Sequence, residues 1–207
     1  MSRHASRTPA KGCAVALCVT ALLAGCAGPV PVSIAVPFDQ IRAKTLLEPG
    51  TGQINGTALI WLSTGAVISC AGENVTLYPA TRYANEWVLL NYGGVPPAKL
   101  QPSDVSYRSR KDGPAPAVPS ASFLTASRST RCDNDNHFQF DQVSDGEFYV
   151  VAHLVWQQQI WDEVSFFYGN KYYDREGTVL KKVRVHGGQI ANADMKWSSP
   201  NSRFNVW

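Results

Sequence analysis

Residues 133–156 read DNDNHFQFDQVSDGEFYVVAHLVW, and this stretch decides the fold. Four consecutive Asp and Asn residues, 133–136, predict a tight turn, because their short side chains bond back to their own backbone and tolerate a left-handed conformation. Residues 137–140 then alternate, with Phe138 and Phe140 on one face. Asp145-Gly146 turns the chain into residues 147–156. There Phe148, Val150, Ala152 and Leu154 share one face, while Tyr149, Val151, His153 and Val155 share the other. Both faces are largely apolar, which predicts a strand in the middle of a sheet.

The same grammar extends outward. Residues 52–60 have strand composition with glycine punctuation, Gly65 marks a turn, and 66–70 and 75–78 follow as strands around a turn at 71–74. Pro79 ends the third of these. Thr81 is placed to cap a short helix through Leu90, with Tyr83, Trp87 and Leu90 at helical spacing. Residues 122–131, 164–173, 178–185 and 190–197 predict further strands, with a turn at 174–177 and another at Gly187-Gly188. The expectation is an all-β sandwich of about seven to eight strands with one short helix. It spans 51–199 and is followed by a tail at 200–207. Residues 93–120 carry Pro96, Pro97, Pro102, Pro114, Pro116 and Pro119 and predict an exposed excursion.

The amino terminus has a different character. Arg3, Arg7 and Lys11 precede an apolar run at 13–24 that ends in Leu23-Ala24-Gly25-Cys26. The run is about half the ~20 residues a membrane-spanning helix needs. It resembles a bacterial lipoprotein export signal. That resemblance implies cleavage after Gly25, a diacylglycerol on the Cys26 sulfur, and attachment to a bilayer. Ala27 follows the cysteine, which resembles the outer-membrane sorting choice of Gram-negative lipoproteins. Residues 26–50, broken by Pro29, Pro31, Pro37 and Pro49, then read as a lipidated tether. Within it, 38–47 have the spacing of a short helix with Phe38, Ile41 and Leu46 on one side.

Charge and cysteine usage follow from that processing. Removing residues 1–25 from the 207 takes three of the 19 basic side chains and none of the 16 acidic ones. The mature net charge is therefore near zero, which supplies no field for nucleic acid. Cys13 and Cys18 leave with the leader, and Cys26 carries lipid. Cys70 and Cys132 remain in an oxidising compartment and are expected to form a disulfide, with two buried thiols as the alternative.

Asp133 to Val151 carries a second resemblance. An Asn-rich turn leads through Asp135, Asn136, Phe138 and Phe140 to Gly146-Glu147-Phe148-Tyr149-Val150. Together with Gly52-x-Ile-x-Gly56-x-Ala58 and the segment from Cys70 to Thr81, this resembles the carboxypeptidase-regulatory-like, transthyretin-like domains. The likeness covers about residues 50–197 and implies their Greek-key, Ig-like sandwich fold. The excursion at 93–120 and an insert at 157–163 depart from it.

No catalytic signature accompanies this fold. The Tyr-Arg-Gly-Ser tail of the hydrolase branch of that fold is absent, since the chain ends Arg203-Phe204-Asn205-Val206-Trp207. No His-x-x-Glu pair holds a catalytic metal, and no Gly-x-Ser-x-Gly elbow or phosphate-binding glycine loop occurs. Residues 133–138 fail the EF-hand pattern at His137 and Phe138, although Asp141 and Asp145 leave another calcium geometry open. No cofactor is implied. What stands out is an aromatic crowd at 156–173: Trp156, Trp161, Tyr168, Tyr172 and Tyr173, with Phe166 and Phe167. Such rings either bind a sugar or a protein, or fill the core and cover a sheet edge. The sequence thus predicts a non-catalytic envelope lipoprotein, anchored through Cys26, that binds a protein partner. A glycan-binding module built on the 156–173 aromatics is the alternative.

Overall fold

Strict alternation organises the first strand. In the computed structural model, which describes residues 32–92, 105–109, 117–160 and 171–198, every second residue of β1 (Gly52–Trp61) is buried. β1 is the axis of a five-stranded sheet. Antiparallel β6 (His137–Val143) and parallel β9 (Ile190–Asn192) flank its first half. Antiparallel β2 (Val67–Ser69) and parallel β10 (Met195–Ser198) flank its second half. A second five-stranded sheet runs β4 (Val105–Ser109), β8 (Lys171–Val185), β7 (Gly146–Ile160), β3 (Asn74–Pro79) and β5 (Arg128–Arg131), all antiparallel. The fold is an all-β sandwich, and β7 is the central strand of its sheet.

The two sheets meet over one apolar core. Ile54, Ala58 and Ile60 of β1 and Phe138 and Phe140 of β6 pack with Phe148, Val150, Ala152 and Leu154 of β7. Cys70 and Cys132 join in a disulfide with Cα atoms 5.7 Å apart. Before β6, the Asp133 carboxylate accepts from the backbone N–H of Asp135 and of His137, at 2.9 and 2.8 Å. Asn136 takes φ +68°, which completes the predicted turn.

A second apolar cluster covers half of the outer face of the β3–β7–β8 sheet. Helix α2 (Arg82–Tyr92) lays Tyr83, Ala84 and Val88 over Tyr149 and Leu180, and α3 (Ala121–Thr125) adds the fully buried Phe123.

Several expectations need correction. The tether predicted over 26–50 does not run free to its end. Ile34, Val36 and Phe38 pack into the second cluster, and α1 (Gln40–Leu47) is capped by the Asp39 carboxylate, which accepts from the Arg42 N–H. Leu46 faces the core, but Ile41 is 81% exposed. Residues 122–127 are not strand. The Ser120 hydroxyl accepts from the Phe123 N–H, and the Phe123 ring stacks on Tyr78 at 4.9 Å, so a helical turn buries more than a strand would. The excursion at 93–120 includes edge strand β4 and the buried Ala117. No turn occurs at 174–177. β8 runs straight through, and Asp174, Arg175, Glu176 and Gly177 pair with Gln157, Trp156, Val155 and Leu154. Polar residues there serve the solvent face of a ribbon rather than a loop. Residues 157–160, read as the start of an insert, continue β7.

Candidate functional site

α2 is held by its ends. The Thr81 hydroxyl accepts from the Ala84 N–H at 3.2 Å, and the Asn91 amide donates to the carbonyls of Trp87 and Ala117 at 2.9 and 3.1 Å. With Ala84 and Val88 against the sheet, Trp87 and Tyr92 fall on the flank of the helix. Their rings meet edge to face with centroids 5.8 Å apart, and Trp87 also tilts against Tyr78 at 5.7 Å. Burial pushes the Tyr78 phenol up from its ordinary value.

Where the helix stops covering the sheet, a step is left. Trp87 and Tyr92 form its wall, and Thr76, His153 and Thr178, from three adjacent strands, form its floor. Glu73 and Asn74 close one end. The cleft measures about 390 Å³, within the ~300–1,000 Å³ range of small-ligand sites. His153 is oriented on both nitrogens: Nδ1 lies 3.2 Å from the Thr178 hydroxyl and Nε2 lies 3.4 Å from a Glu176 carboxylate oxygen. With the proton on Nε2 facing Glu176, Nδ1 accepts from Thr178. The result is an aromatic wall beside a floor of threonine hydroxyls, with both nitrogens of His153 already engaged by Thr178 and Glu176. Such a surface stacks an apolar ring face and hydrogen-bonds the hydroxyls around that ring.

Two other hollows have less chemistry. One of about 370 Å³ lies over Asn55 and Gly56 beside Arg131 and His137. The larger, about 750 Å³, lies between Val36, Pro37 and Arg42 and the start of α2. Among the described residues, no three His, Cys, Asp or Glu side chains gather as metal ligands. No described helix is long and apolar enough to cross a membrane.

The aromatics singled out from sequence do not form one row. Trp156 lies on the core-facing side of β7, packs against the central cluster, and buries its Nε1 without a hydrogen-bond partner. Tyr173, which pairs with Gln158, shares that side; Tyr172, which pairs with Gln159, lies on the other. Tyr172 and Tyr173 are exposed, whereas Trp161 and Tyr168 lie outside the described residues, as does Cys26. The cleft residues were missed in sequence because Trp87 reads there only as one of three apolar residues at helical spacing, with Tyr83 and Leu90. The usable signal was the alternation of 149–155, which leaves His153 facing the same way as Tyr149.

No protein-family model and no curated protein matches the chain. Among solved structures it is similar to a protein of Pseudomonas aeruginosa that is provisionally described as carbohydrate binding. The two share 25% identity and a TM-score of 0.55, over 78% of this chain and 98% of that one.

Proposed function

We propose that this chain is a non-catalytic carbohydrate-binding module of the cell envelope, held at a membrane through an acylated Cys26. The observation that carries the binding reading is the pairing of Trp87 and Tyr92 with the threonine-hydroxyl floor of the cleft. The similar Pseudomonas aeruginosa protein supports the same reading. A protein-binding role has weaker support: the large exposed apolar residues Ile41, Val67, Leu124 and Ile190 lie on four different elements.

Calorimetric titration with neutral oligosaccharides tests the reading. Trp87→Ala is expected to weaken binding about tenfold or more, since it removes the stacking wall. Thr178→Val, which keeps shape and deletes the hydroxyl, is expected to weaken it less while leaving the circular dichroism spectrum unchanged. Failure of the parent protein to bind any neutral oligosaccharide overturns the proposal. For the anchor, labelled palmitate is expected on the full-length precursor expressed in a bacterial envelope and not on Cys26→Ser. Equal labelling of both overturns it.

A further inference from the structure

Resting on the carbohydrate-binding reading, the geometry points to a ligand longer than the cleft: we infer that a linear, uncharged glycan chain lies along the outer face of the β7–β8 ribbon, from Trp87 to Tyr172. The pairing register sets the path. His153 opposite Thr178 forms the cleft floor, and the next pairs on the same face are Val155 with Glu176, Gln157 with Asp174 and Gln159 with Tyr172. Tyr172, 57% exposed, therefore ends a row that begins at the cleft. The six residue steps from Thr178 to Tyr172 span roughly 20 Å at ~3.4 Å per residue, which is several sugar rings.

The ribbon is built to present that face. β3 accompanies β7 only from Phe148 to Ala152, and β4 accompanies β8 only from Gly177 to Lys181. Beyond those points the two strands have no sheet neighbours among the described residues, an arrangement with little stability of its own. Trp156 pins the inner face to the core. The outer face carries Gln157, whose amide reaches the Asp174 carboxylate at 3.4 Å, a long bond that a sugar hydroxyl can replace or bridge. Glu73 at the cleft and Glu176 and Asp174 along the row place carboxylates beside the path. Against Arg108, which sits opposite Thr178 in the register, these three carboxylates disfavour a polyanionic chain relative to an uncharged one.

Titration of the whole mature chain with cello- and chito-oligosaccharides of two and six units, and with a hyaluronan hexasaccharide, tests the inference. Six units of one of the neutral series are expected to bind about tenfold tighter than two. Tyr172→Ala, an exposed position outside the core, is expected to remove most of that gain and to leave two-unit binding unchanged. Equal affinity for both lengths, or no effect of Tyr172→Ala, overturns the extended path while the cleft stands. Tighter binding of hyaluronan overturns the uncharged ligand. Absence of binding by every probe overturns the carbohydrate reading itself and this inference with it.

Discussion

Gly56 stands where β1 has no room for a side chain. A Cβ there would lie 2.6 Å from the Ala193 backbone and 2.8 Å from the Phe138 ring. The backbone is fixed on both sides by β6 and by the bond from the Ala193 N–H to the Asn55 carbonyl, so neither neighbour moves cheaply. Gly56→Ala is expected to destabilise by about 1–3 kcal/mol, read as a lowered midpoint in thermal unfolding. One residue away, Asp194 ties the β9–β10 connection to β1: one carboxylate oxygen accepts from both the N–H and the hydroxyl of Thr57 at 3.0 Å. Burial alone would raise its pKa, but bonds from Asn192 and Thr57 and the charge of Lys196 hold it below the usual carboxylate range. Glu147 is also held low, by its bonds to Lys182 and then Arg184. For groups depressed in the folded state, the stabilisation is fully present above the unfolded carboxylate pKa of about 4. It is lost as pH falls through the lower folded values. Unfolding in urea is therefore expected to show stability dropping below about pH 4. Asp194→Asn should shorten that acid limb, and an acid limb of unchanged steepness in the variant would refute the assignment.

Elements differ in how much of them the sequence declares. Period-two alternation made β6, and β7 as far as Trp156, legible together with the faces they bury, while β1 was legible from strand composition and glycine punctuation. The reading broke where tertiary context chose between local options. At 174–177 an Asp-Arg-Glu-Gly run has turn composition, but opposite β7 its alternate residues simply face water. At 122–127 Phe123 found a deeper burial in a helical turn. The cleft was illegible for a related reason: its wall is on α2 and its floor is on three strands, so no single window contains it. The split of Trp156 from Tyr172 likewise depends on the β7–β8 register, which no local pattern states. The amino-terminal strap is a further case. The Glu86 carboxylate on α2 accepts from the N–H groups of Ala35 and Val36, at 3.0 and 2.7 Å, and thereby holds a segment whose prolines suggested a tether. Glu86→Ala is expected to cost about 1.5–3 kcal/mol as a charge-assisted pair of bonds is lost. Hydrogen exchange at Ala35 and Val36 should rise well above that of the core strands, and unchanged protection there would mean the strap is held by its apolar contacts alone.

At the scale of the molecule, the disulfide is what joins the two sheets covalently. Cys70 follows β2 of one sheet and Cys132 follows β5 of the other. Backbone bonds reinforce the junction, from the Gly72 N–H to the Cys132 carbonyl and from the Cys132 N–H to the Glu73 carbonyl. Closing a loop of 62 residues in the unfolded chain is worth about 4 kcal/mol in the chain-entropy account. Domains of this kind are stable by about 5–15 kcal/mol, so the bond is a large fraction of the margin without being the whole of it. The double variant Cys70→Ala, Cys132→Ala is therefore expected to remain folded at 25 °C and to melt about 8–16 °C lower, taking ~2–4 °C per kcal/mol for a chain of this size. The consequence extends to binding. Glu73 and Asn74, which close the cleft, follow Cys70 by three and four positions, so freeing Cys70 loosens the mouth while Trp87, on α2, keeps its place. Glycan affinity in the double variant should fall, but by less than in Trp87→Ala. A loss as large as that of Trp87→Ala would mean that the mouth, and not the aromatic wall, carries recognition.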